Sequence, residues 1–178
     1  MQQILNSKDS WLKLGIKIID KQGLDELKIK SLCEQLKVTK GSFYHWFSSK
    51  QDYEFQILKF WKQEFTTKFI ELAETASNSR EKLSLLGRQC IQGVVNGNRL
   101  EYEINAWSFK DKAVKQFVTA VYIKRFKYVE KLLAKIYQDK TQVKKHALIV
   151  YSLIVGVDFF YRELTREELE LIFSDYLI

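Results

Sequence analysis

The segment Lys28–Lys50, KIKSLCEQLKVTKGSFYHWFSSK, constrains the fold most, because it packs two short helical periods around a minimal turn. Ile29, Leu32, Cys33 and Leu36 fall at i, i+3, i+4 and i+7, one apolar stripe. Lys37 and Val38 make the turn. Thr39 then stands where an N-cap belongs, its side-chain oxygen able to accept from the backbone N–H of Gly41 or Ser42. In the second helix Phe43, Trp46 and Phe47 share a face. At about 100° per residue this leaves Gly41, Tyr44 and His45 on the opposite, wet face, flanked by Lys40 and Ser42.

That wet face suits a nucleic acid. A helix N-terminus presents unpaired N–H groups and partial positive charge, which favours a phosphate. Gly41 has no side chain to keep backbone and duplex apart. Tyr44 and His45 can hydrogen-bond phosphate oxygens, which positions a helix without reading sequence. Lys40 and Ser42 are the candidate readers of base edges in the major groove. Two helices, a brief turn and a polar second N-terminus make a helix-turn-helix.

The run from Gly23 to Tyr53, with VTKGSFYHWFSSKQDY at its heart, resembles the N-terminal DNA-binding domain of the TetR (tetracycline-repressor-like) family. The matching features are Gly23 after the first helix, Ile29 and Leu32 in the second, and Val38-Thr39-Lys40-Gly41 at the turn. Tyr44-His45, Phe47 and Ser49-Lys50 complete the pattern, which covers roughly the first third of the chain. Two positions depart from it. Leu27 and Lys28 replace the usual Thr or Ser cap of the second helix, so Lys28 would meet phosphate as a point charge. Lys37 replaces the usual turn glycine and, if left-handed, costs roughly 1 kcal/mol relative to Gly. The resemblance implies a DNA-binding transcriptional regulator, a repressor, that holds a palindromic operator as a dimer and is released by a small apolar effector. The DNA-contacting set it implies is Lys28, Thr39, Lys40, Gly41, Ser42, Tyr44, His45 and Lys50.

Composition agrees with a polyanionic partner. The chain has 178 residues and a net charge of +7, and residues 1–50 hold nine Lys against five acids. More than half the excess therefore sits in the first third. There is no proline and there are only seven glycines, so helix breakers are scarce and an all-α protein of about nine helices is expected. Cys33 and Cys90 are too few and too separated for a disulfide framework, and a reducing cytoplasm fits. The two cysteines and two histidines make no metal motif, so no cofactor is expected. No signal peptide is expected. The longest apolar run, Ala147 to Tyr161, is broken by Ser152 and Asp158 and is too short to cross a membrane.

Taken in order, a first helix spans Lys8 to Gln22, with Lys13, Lys17 and Lys21 on one face as either a solvated stripe or a DNA flank. Ser49 and Asp52 open a long helix that runs to about Thr75. Lys50 at its start opposes the helix dipole unless a phosphate is near. These features divide the chain into a helix-turn-helix domain, 1–50, and a helical effector-binding and dimerisation domain, 51–178, with 51–75 as connector. A polar break, Ala76 to Arg80, also separates head from body. Further helices are expected at 81–96, 100–109, 113–137 and 143–164. A last one follows Thr165, whose partner Glu168 makes a capping box, with an apolar stripe ending in Tyr176 and Leu177.

The helix at 143–164 is apolar over more than half its circumference and needs partners on several sides. A two-fold dimer through the last two helices, as a four-helix bundle, would supply one, with Val150, Leu153, Ile154, Val157, Leu169, Ile172 and Phe173 at the interface. An intrachain core is the other reading. The resemblance also implies a body pocket for a small ligand, whose candidate lining is Trp61, Phe65, Trp107, Phe109, Phe117, Tyr122, Tyr151 and Asp158. Each aromatic could equally be plain core. Glu103 and Asn105 are further polar groups near apolar runs. No catalytic triad, phosphate-cradling loop or metal spacing appears, so an enzyme is disfavoured. A helical interaction protein without DNA binding is the remaining alternative.

Overall fold

A computed structural model describes residues 7–174 except residue 161 and the side chain of Asp158. Tyr176 and Leu177, assigned above to the last apolar stripe, lie outside the described residues, as does the side chain proposed at Asp158.

The described chain is all-α. It comprises α1 (Lys8–Gln22), a 3₁₀ turn (Leu24–Glu26), α2 (Ile29–Leu36), α3 (Lys40–Trp46), α4 (Lys50–Lys62), a π-helical turn (Gln63–Thr67), α5 (Lys68–Glu74), α6 (Ser79–Val95), α7 (Leu100–Lys110), α8 (Lys112–Leu133), α9 (Lys140–Gly156), a second 3₁₀ turn (Val157–Phe159) and α10 (Arg166–Phe173). Because α4, the π turn and α5 follow without a break, the ten α-helical segments form nine rods among the described residues.

Local chemistry fixes the ends. Ser7 Oγ accepts from the Ser10 N–H, and Gly23, at φ 87°, stops α1 while its N–H donates to Ile19 O. Ser49 Oγ accepts from Asp52 N–H at 3.0 Å, but the Asp52 carboxylate reaches one residue further back, to Ser48 N–H at 2.9 Å. Asp111 caps α8 through the N–H groups of Ala113 and Val114. Thr165 and Glu168 form the reciprocal capping box expected from sequence. Bonds to Arg162 and to the Thr165 N–H hold the Glu168 carboxyl down at about 2.

Four boundaries differ most from expectation. Asn78 caps α6 through Glu81 N–H, so that helix begins at Ser79. Asp139 caps α9 through Thr141 N–H, which draws Lys140 to Gln142 into the helix, while α8 already ends at Leu133. The α9 helix does not continue to Leu164: it ends at Gly156 and tightens into the 3₁₀ turn. Glycine is a poor interior helix residue, which suits that stop.

The core forms two clusters. One gathers Trp11, Ile18 and Ile19 of α1, Leu32 of α2, Phe43 of α3 and Tyr53, Ile57 and Trp61 of α4 with Leu100, Ile104, Trp107, Val114, Val118 and Val121. It therefore runs from the head into α7 and the first half of α8, across the division proposed at residue 50. The other joins Leu83 and Ile91 of α6, Val129, Leu132 and Leu133 of α8, Val143, Ala147 and Val150 of α9 and Leu169 and Phe173 of α10. Helix α8 belongs to both, and Arg125 lies between its two apolar stretches.

The head meets the connector where α1 crosses α4 at Gly15. A Cβ built there would stand 2.5 Å from both Ile57 Cδ1 and the Tyr53 hydroxyl. Tyr53 cannot step aside freely, because its buried hydroxyl donates to Trp11 O at 2.7 Å. Gly15→Ala should therefore destabilise the chain by about 1–3 kcal/mol, despite alanine's better helix propensity. Urea denaturation will check this, and a gain in stability would contradict the tight crossing.

Candidate nucleic-acid interface and body cavity

Helix α3 is held from one side. Phe43 and Phe47 are fully buried, and Phe43 meets Trp11, Phe47 and Tyr53 with ring centroids 5.2–5.5 Å apart. Lys37 before it adopts the left-handed conformation, φ 56° and ψ 44°, and its N–H closes the end of α2. The turn thus has the geometry a glycine would favour, taken up by lysine at the cost anticipated from sequence.

Thr39 is the N-cap residue of α3, but its side chain makes no capping hydrogen bond. The expected bond from Gly41 or Ser42 N–H to its hydroxyl is replaced by Ser42 N–H donating to Thr39 O at 3.0 Å, with the two hydroxyls 3.4 Å apart. Thr39, Lys40 and Gly41 at the helix start are exposed.

The opposite face of α3 is open. Lys40, Gly41, Tyr44 and His45 are exposed and Ser42 is half-buried, so these predicted residues gather on one surface. Lys40 has no ion-pair partner among the described residues. Two other predicted contacts are already engaged. Lys28 Nζ binds both oxygens of Glu26 at 3.1 Å, and Lys50 Nζ pairs with Glu54 at 3.1 Å. A phosphate at either lysine must compete with an internal acid.

In the body, a cavity of about 320 Å³ opens between the π turn, α6, α7, α8 and α9. Of the predicted lining, Phe65, Tyr122 and Tyr151 reach it, joined by Asn105. Trp61 is fully buried behind it, its Nε1–H donating to Glu101 Oε1 at 3.0 Å. The remaining aromatics are corrections to the expectation. Trp107 is packed in the first core, Phe117 packs edge-on against Phe55, and Phe109 is 82% exposed near the end of α7; none lines the cavity. Glu103 does not line it either.

The polar heart of the cavity is a pair that sequence reasoning missed. Arg125 Nη2 donates to Glu101 Oε1 at 3.0 Å and to Phe65 O at 3.3 Å, while Nε donates to Thr66 Oγ1 at 2.7 Å. The guanidinium lies over the rings of Trp61 and Tyr122, 5.0 and 5.6 Å from their centroids. Burial works against its charge, but Glu101 overrides this and raises its pKa. Burial, with Glu101 adding to it, pushes the Tyr122 hydroxyl well above the ordinary tyrosine range. A signal was present in the sequence: Arg125 stands at i+4 between Val121 and Val129, on the buried stripe of α8. A cation in that position needs an internal partner.

The cavity wall touches the head directly. Arg99 N–H donates to Asp20 Oδ1 at 2.6 Å, and Lys21 Nζ donates to Gly97 O at 3.2 Å. The α6–α7 loop that carries Asn96 and Asn98 of the lining is therefore bonded to the C-terminal end of α1.

The predicted interface residues point mostly inward. Val150, Leu169 and Phe173 are fully buried in the second core and Val157 is 9% exposed; Ile154 and Val157 line the cavity. Leu153 and Ile172 are half-buried against the same core. The stripe has the expected period, and within this chain it packs against α6 and α8. Outward on these helices lie Leu148, Ser152 and Gly156 of α9 and Leu171 of α10, the two leucines 50% and 76% exposed.

No described helix is long and apolar enough to cross a membrane, and the described residues form no cluster suited to a metal ion.

Residues 12–52 match the family described as bacterial regulatory proteins, tetR family. Among solved structures, the chain is similar to SCO4454, a TetR-family transcriptional regulator from Streptomyces coelicolor. The two share 16% identity over 97% of each chain, with a TM-score of 0.69. It is also similar to AibR, solved with isovaleryl coenzyme A and operator DNA, at 16% identity, TM-score 0.71, over 94% of this chain and 96% of that one. The fatty acid degradation regulator FadR from Bacillus halodurans is similar at 14% identity and TM-score 0.68, over 96% of this chain and 94% of that one. At such identities the likeness shows a common fold. No curated protein sequence matches the chain.

Proposed function

Since this chain belongs to the TetR family of DNA-binding transcriptional regulators, we propose that it is a repressor that holds a palindromic operator as a homodimer and lets go when a small molecule fills the body cavity. The observation that carries this reading is the division of α3. Phe43 and Phe47 anchor one side, while Lys40, Gly41, Tyr44 and His45 are free on the other. Inserted in a major groove, that face would bring Lys40 and Ser42 to base edges and Tyr44 and His45 to phosphates. Thr39 and Gly41 would let the backbone approach, with Lys28 and Lys50 at the flanks.

One α3 covers only a few base pairs, so a symmetric pair of heads is needed for a palindrome. We place the two-fold contact on the outward stripe of α9 and α10, centred on Leu148, Ser152, Gly156 and Leu171. Two large exposed apolar side chains and a glycine with open space around it favour close helix approach. Leu171→Asp should convert the dimer to monomer and weaken operator binding at least tenfold. Size-exclusion with light scattering measures the first and a gel shift the second; a wild-type monomer at micromolar concentration would remove the dimer.

AibR was solved with both an acyl-coenzyme A and operator DNA; we assign the same two kinds of partner, a small molecule and DNA, to this chain. The bonds from Asp20 and Lys21 to the cavity loop support a direct route from body to head. A ligand that favours one loop position shifts the spacing of the heads by its differential affinity. The defining experiment is selection of bound sites from random duplexes, followed by a gel shift. Tyr44→Phe should weaken binding about tenfold, or about 1.4 kcal/mol, on all sequences alike. Lys40→Ala should instead change base preference. Equal affinity in the Tyr44 variant, or an unchanged preference in the Lys40 variant, would contradict the assigned roles.

A further inference from the structure

Glu101 and Arg125 are the only formally charged residues among the described cavity lining, and they neutralise each other at 3.0 Å. The tyrosine hydroxyls beside them, Tyr122 and Tyr151, are held protonated, chiefly by burial. The cavity is therefore polar but without net charge. Its hydrogen-bonding capacity is not exhausted. The contacts of Arg125 use Nε and Nη2, leaving Nη1 with no acceptor among the described residues. Asn105 uses only its Nδ2 group, and Gln89 has no hydrogen bond among the described residues. The rest of the lining is largely apolar, including Phe69, Ile70, Leu86, Val94, Val129 and Ile154.

These features discriminate between ligand heads. A carboxylate or an ammonium entering the cavity would be a third charge beside a pair that is already satisfied. Its desolvation would have no matching counter-charge. An ammonium would also find the faces of Trp61 and Tyr122 occupied by the guanidinium. A carbonyl oxygen carries no such cost and accepts from the spare edge of Arg125, while an amide N–H or hydroxyl beside it can donate to Asn105 Oδ1. A volume of about 320 Å³ lies at the lower end of small-ligand sites, which limits the molecule to modest size.

We propose that the cavity binds an uncharged amphiphile, a carbonyl-bearing head such as an amide, ester or lactone on an apolar body, and that the Glu101–Arg125 pair is the filter that rejects charged heads. The proposal rests on the reading of the cavity as an effector site. It adds the role of Glu101, which sets ligand charge by cancelling Arg125.

Isothermal titration calorimetry on the full chain without DNA tests it with three probes of equal tail: octanamide, octanoate and octyltrimethylammonium. The wild type should bind octanamide at least tenfold more tightly than either charged probe. Glu101→Gln keeps an acceptor for Trp61 Nε1 but leaves the Arg125 charge uncancelled. Octanoate should then bind at least tenfold better than it does to the wild type. A wild type that prefers octanoate or the ammonium, or that binds none of the three, overturns the proposal. So does a folded Glu101→Gln variant with unaltered preference. Should that variant not fold, the wild-type ranking alone decides. If octanamide binds as expected but leaves a gel shift untouched, the charge filter stands and the repressor-release reading fails.

Discussion

Phe43→Ala should destabilise the chain by about 3–5 kcal/mol and abolish DNA binding with it. Phe43 is fully buried and touches Trp11, Phe47 and Tyr53, so it ties α3 to both α1 and α4. Nothing local can replace that anchor. Helix α3 has seven residues, and its N-cap threonine contributes no side-chain bond. An isolated helix of that length is not stable in water. Urea denaturation should show a lower midpoint with an unchanged slope, and a gel shift should show no retarded band. A variant that keeps wild-type stability would mean that α3 does not depend on this cluster.

The second large effect is expected at Arg125. Arg125→Met should cost about 3–5 kcal/mol, toward the low end because the two side chains retain 19% and 25% exposure. Most of that cost is the orphaned Glu101 carboxylate rather than the lost attraction. Adding Glu101→Gln to Arg125→Met should therefore recover most of it, since the glutamine still accepts from Trp61 Nε1. Thermal and urea unfolding of the two singles and the double complete the cycle. A double variant no more stable than Arg125→Met would show that the pair is not what matters there.

Much of this was legible from residue order, for reasons that differ between head and body. In the head, the period of Ile29, Leu32, Cys33 and Leu36 and the aromatic face of Phe43 and Phe47 are local facts, and the structure keeps them. Cys33 is the buried filler expected, its thiol pushed up chiefly by burial. The wet face of α3 follows from the same geometry. The body is different because its partners are remote in sequence. Glu101 and Arg125 meet across 24 positions, and Thr66 joins Arg125 across 59. Periodicity shows that Arg125 sits on a buried stripe but cannot name what answers it. The same limit explains α9 and α10. Their stripe was visible, yet whether Val150 and Phe173 face a second molecule or their own chain depends on where α6 and α8 lie.

The wide turn at Gln63–Thr67 gives the connecting rod two acceptors for a buried cation. Five residues there cover about the rotation that four would in a regular helix, so the surplus residue is taken up locally. Phe65 O and Thr66 Oγ1 of this turn accept from Arg125 Nη2 and Nε. A deletion that made the turn regular would therefore disturb two acceptors of the cavity's cation while leaving the helices on either side in phase.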